Sequence, residues 1–113
     1  MARADRLERM DLRRAELEEE YRAALIAALR DTAAGRWGLF DHQKDKAGKA
    51  RAAPVIAALS DLAEEIGAMR DTLGLEPFAL HDDFMAARGP AAADAVGEPR
   101  QAKAWLEKMG AAA

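Results

Sequence analysis

The 113-residue chain is predicted to be all-α: a long antiparallel helical hairpin followed by two short C-terminal helices, paired as a dimeric bundle. Three observations lead there. Alanine supplies 29 residues and is the strongest helix former, whereas Val and Ile together number five, too few for the β-branched surfaces of a sheet. Apolar residues recur at alternating spacings of three and four over two long stretches, the period of a helix face. Glycine and proline stand where those stretches begin and end. The 28 apolar residues larger than alanine carry nearly all the core volume, so a thin, closely approached interior is expected. The length is that of one helical domain spanning residues 1–113.

The first helix is expected from about Asp5 to Ala34. Leu7, Met10, Arg14, Leu17, Tyr21, Ala24 and Ala28 form a heptad stripe, interrupted at Arg14. Asp5 with Arg9 and Glu18 with Arg22 are favourable i,i+4 pairs, each worth a few tenths of a kcal/mol. The run Glu18-Glu19-Glu20 reads as solvated helix surface, because no histidine in this segment turns it into a metal or acid–base site. Gly35 suits a left-handed cap.

The second helix is expected from about Pro54 to Leu73, with proline in its first turn and Gly74 just beyond its end. Val55, Leu59, Leu62, Ile66, Met69 and Leu73 repeat the three–four spacing without a break. A third helix, Pro77 to Arg88, carries Phe78, Leu80, His81, Phe84 and Met85 and stops at Gly89-Pro90. A fourth, Pro99 to Met109, carries Ala102, Trp105, Leu106 and Met109. The small residues from Ala91 to Gly97 read as a loop.

At about 1.5 Å per residue the first helix is roughly 45 Å long and the second roughly 30 Å, so the first outruns the hairpin. An uncovered heptad seam is a dimerisation surface. A homodimer is therefore expected, with Leu7, Met10, Leu17 and Tyr21 at its interface. The function that follows is a non-enzymatic helical interaction or assembly protein.

After the first helix comes Gly35-Arg36-Trp37-Gly38-Leu39-Phe40. Its three large apolar residues are expected to plug the end of the hairpin, the glycines permitting a sharp reversal. This motif, with Arg88-Gly89-Pro90 and Gly97-Glu98-Pro99-Arg100 followed by Ala102, Trp105 and Leu106, resembles a group of small bacterial helical proteins of unknown function. The resemblance covers roughly Tyr21 to Met109 and implies a helical fold without an assigned activity. Where that group continues with Gly and Asn, this chain has Asp41-His42-Gln43, so no site residue carries over.

The connection from Gly38 to Ala53 is overlong for packed helices, where about two to eight residues are usual. Its basic stretch, residues 41–51, supports an alternative function as a small-ligand or anion-binding module using Arg36, Trp37, His42, Lys44 and Lys46, with Lys49 and Arg51 nearby. The plainer reading is a partly helical lead-in to the second helix, weakened at Gly48 and kinked at Pro54. His42 and His81 are the neutral-pH acid–base candidates, each beside aspartates. Neighbouring residues on a helix point apart, so His81, spaced with Phe78 and Met85, reads as a half-buried packing residue.

Composition narrows the remaining classes. With no cysteine, disulfides and thiolate metal sites are excluded. No nucleotide-binding, metalloprotease or nucleophile-elbow motif is present, so no cofactor, metal or catalytic residue is expected and enzymatic chemistry is disfavoured. A net charge of −3 makes nucleic acid a poor partner. The longest uncharged run, Ala52 to Ser60, is too short to span a bilayer, and the charged first turns lack a signal peptide's apolar centre; a cytoplasmic location is expected.

Overall fold

In a computed structural model that describes residues 2–40, 46–88 and 98–111, the chain forms α1 (Ala2–Ala33), α2 (Lys46–Thr72), α3 (Ala79–Arg88) and α4 (Glu98–Lys108). No strand occurs among those residues. The all-α class read from alanine and periodicity is what the chain adopts.

Three helices stop in the same way. Gly35 and Gly74 have φ of 75° and 69°, a region that costs glycine little and other residues more. At the end of α1 the Gly35 N–H donates to the Thr32 carbonyl, and the Arg36 N–H reaches back to Asp31, both at 3.0 Å. Gly74 and Leu75 repeat the pair on Asp71 and Arg70, and Gly110 and Ala111 repeat it on Glu107 and Leu106. These double bonds satisfy carbonyls that a helix end otherwise leaves open.

α1 and α2 run antiparallel. Glu18 on α1 meets Arg70 near the end of α2, while Ala28 and Asp31 lie beside Pro54 and Val55 near its start. α4 also packs along α1, where the Arg22 guanidinium donates to the Met109 carbonyl at 2.7 Å. The core joins Leu17, Tyr21, Leu25 and Leu29 of α1 to Leu59 and Ile66 of α2, Phe84 of α3 and Leu106 of α4. Phe84 is contacted edge-on by Phe40 and Trp105, with centroids 6.0 and 5.8 Å away. The expected plug is real for Leu39 and Phe40, which are buried. Trp37 is half-buried and donates from Nε1 to Asp31 at 3.3 Å.

Two sequence expectations need correction. α2 begins at Lys46, not Pro54, so proline lies inside the helix and the connection is correspondingly shorter, with the helical lead-in of the plainer reading in place. Alanine-rich propensity and burial of Ala52 hold this lead-in helical, while Pro54 and Ala50 are exposed, leaving the unpaired Ala50 carbonyl near water. Leu17 and Tyr21, expected at an interface between copies, are 1% and 0% exposed within the single chain, where they belong to its core. The stripe is apolar as read, but α2, α3 and α4 cover its central part.

Candidate functional site

Beyond Leu17 the same stripe runs out of cover. From Arg3 to Arg13 every side chain except the half-buried Met10 is exposed. The radius of gyration is 16.0 Å, against about 13 Å for a compact chain of this length, and the longest dimension is 54 Å. The first three turns of α1 therefore project as an arm. Leu7 is 38% exposed and, with Met10, continues the line of Leu17 and Tyr21. At 100° per residue, Arg3, Arg6, Leu7, Met10 and Arg13 share one side of the arm, within about 120° of arc. Asp5 and Glu8 fall on the other side. Arg3, Arg6 and Arg9 make no ion pair among the described residues, so the expected Asp5–Arg9 pair is not formed.

The arm leaves the body at a charged junction. Glu18 accepts from Arg14 on its own helix and from Arg70 of α2, the latter at 2.7 Å. Arg14 also holds Asp11 at 2.9 Å. Burial pushes the Glu18 carboxyl up, but hydrogen bonds from Arg70 and Arg14 outweigh it and hold the group below its ordinary range. Glu18 is thus not part of a solvated acidic face, although Glu19 and Glu20 are exposed. Its expected partner Arg22 is engaged with Met109 instead. Arg70 also donates to the Glu76 carbonyl at 2.7 Å and lies 5.8 Å from the Phe78 ring centroid, fixing the α2–α3 turn. Its signal in the sequence was solitude: it is the one base between residues 54 and 76, against five acids.

Beside this turn, α2 and α3 part to form an open groove of about 460 Å³. Gly67 and Ala63 give it a shallow floor, Leu75, Pro77 and Phe78 supply apolar wall, and Glu64, Asp71 and Asp82 supply negative charge. His81 and Ser60 line one side. His81 links three helices: its Nδ1 lies 2.8 Å from the Tyr21 hydroxyl and its Nε2 lies 3.3 Å from Ser60 Oγ. Burial, with Asp82 adding to it, pushes the Tyr21 phenol far above its ordinary range, so it stays protonated. A neutral imidazole serves both hydroxyls in either tautomer, donating to one and accepting from the other. Burial also pushes the His81 pKa down, against an opposing pull from Asp82. Reading His81 as a half-buried packing residue fits its exposure but missed Ser60 and Tyr21, which lie 21 and 60 residues away in sequence.

The alternative ligand residues are only partly described. His42 and Lys44 lie outside the described residues, and Lys46 is placed only as the first residue of α2. Arg36 is exposed and paired with Asp31 at 2.7 Å. Trp37 faces a shallow groove of about 400 Å³ lined by alanines, Pro54, Val55 and Leu59, where Asp31 is the one ionisable lining group among the described residues. Among the described residues no group of three or more His, Asp or Glu is arranged to hold a metal ion. None of the described helices is long and apolar enough to cross a membrane.

No family model, curated protein or solved structure matches the chain.

Proposed function

We propose that the chain is a non-enzymatic interaction and assembly protein that associates through the projecting arm of α1, with a second copy of itself as partner. One observation carries the reading: the apolar line that holds Leu17 and Tyr21 in the core continues through Met10 and Leu7 into three turns left uncovered among the described residues. The interface is narrower than the full seam, comprising Leu7 and Met10 with their flanking arginines. An isolated helix of that length is marginal in water, so a partner that buries the seam also stabilises the arm.

Light scattering on wild type and on Leu7→Asp with Met10→Asp tests this. Both substituted residues lie outside the buried core. The wild type should associate at tens of micromolar, where even a modest interface forms. The variant should be monomeric with its folded body intact. A monomeric wild type, or a variant that associates as before, would contradict the proposal.

A further inference from the structure

If the arm is an assembly element, the chain itself presents a surface suited to receive it. We infer that the arm of one copy docks in the α2–α3 groove of a second copy, its Leu7–Met10 line on the apolar wall and its arginines against the groove's carboxylates. This rests on the assembly reading above and adds its receiving surface.

Three relationships support the match. The first is charge. The exposed side of the arm carries Arg3 and Arg6, neither of which has an ion pair among the described residues. The groove carries Glu64, Asp71 and Asp82, and among the described residues none of the three has an ion pair and no Lys or Arg lines it. Like charges held on either surface alone are relieved when the two meet.

The second relationship is length. From Arg3 to Arg13 the arm rises about 15 Å, and the groove follows α2 from Ser60 to Asp71, about 17 Å, at 1.5 Å per residue. The third is shape and apolarity. Gly67 has no Cβ, and one built there would meet nothing within 4 Å, so the floor is low enough for another helix to approach. Leu75, 43% exposed, stands at the groove as Leu7 stands on the arm.

The arm leaves the body where Glu18 meets Arg70, near the Asp71–Leu75 end of the groove. Each chain thus carries one arm and one groove at neighbouring positions. That arrangement permits two copies related by a two-fold axis to exchange arms reciprocally, closing the assembly at a dimer.

A charge swap separates this inference from the assembly reading beneath it. One variant carries Arg3→Glu and Arg6→Glu on the arm; the other carries Glu64→Arg and Asp71→Arg in the groove. All four positions are exposed, so each variant should keep its helices, which circular dichroism checks. Sedimentation should show each variant alone as a monomer where the wild type is a dimer. An equimolar mixture should restore a 1:1 dimer, because the acidic arm then meets the basic groove and the basic arm meets the acidic one. Should the groove reversal cost helicity, Glu64→Gln with Asp71→Asn removes charge without adding bulk, and should weaken the dimer by about tenfold or more. A groove variant that dimerises like the wild type, or a mixture that stays monomeric, overturns the groove while arm-mediated assembly stands. A wild type that is monomeric throughout overturns both.

Discussion

Tyr21 on α1 and His81 on α3 are joined by a 2.8 Å hydrogen bond between Oη and Nδ1. The two rings also meet edge-on at 5.6 Å, and Phe78 meets Tyr21 edge-on at 5.1 Å. The contact matters because α3 lies against α2 only lightly, with the groove between them. His81 therefore sets where one wall of that groove stands. Tyr21→Phe keeps the ring and removes the hydroxyl, leaving Nδ1 without its partner. The expected loss is about 1–3 kcal/mol in urea unfolding. A loss below about 0.5 kcal/mol, the scale of a neutral surface change, would show that the link does not hold α3.

Acid should weaken the same link. Burial lowers the His81 pKa from its ordinary 6.5, so the folded state prefers the neutral ring and the unfolded state binds the proton more readily. The stability contributed is fully present above that ordinary value and is lost as pH falls through the lowered one. The melting temperature of the wild type should fall as pH drops below 6.5, in a window where carboxylates with ordinary values near 4.5 are still charged. In His81→Gln the curve should be flatter there. Equal slopes in both proteins would place the pH response elsewhere.

Glu18 predicts a second, more acidic step. Its carboxyl is held below 4.5, so its contribution is present above that value and disappears as pH falls through the lowered one. Its side chain is 19% exposed and that of Arg70 is 21%, so the pair is partly shielded from solvent. Glu18→Gln should cost about 1–2 kcal/mol at neutral pH, with a smaller difference from wild type in acid. Glu19→Gln, on the exposed neighbour, should change stability by less than about 0.5 kcal/mol.

Loss of an aromatic ring should grade by burial. Phe84→Ala removes a ring that is 0% exposed and should cost about 3–5 kcal/mol. Trp37 is half-buried, so Trp37→Ala should cost about half as much by the same scale. Chemical denaturation of the two variants side by side gives the order directly, and equal losses would mean that Trp37 is packed more deeply than its exposure indicates.

Features set by adjacent residues were legible in the sequence, and features set by distant ones were not. Gly35 and Gly74 announce helix ends because a left-handed cap is a local event. Pro54 misled for the same local reason: it suits a first turn, but the helix already runs through Ala52, which is buried, and continues past the proline. Glu18 has Arg22 four residues on, and only the antiparallel packing of α2 shows that Arg70, 52 residues away, takes it instead. Periodicity identified Leu17 and Tyr21 as an apolar stripe without saying what covers it. The groove is similarly silent in sequence, since Gly67, Phe78 and Asp82 adjoin only after α2 and α3 pack.

Sedimentation equilibrium of the wild type across micromolar concentrations tests the assembly reading most directly. The chain has a mass of 12.2 kDa. An arm that seeks a second copy predicts a mass rising with concentration toward twice that value, with the rise abolished in Leu7→Asp with Met10→Asp. A mass that stays at 12.2 kDa up to about 100 μM, where a Kd in the micromolar range would be saturated, would contradict it.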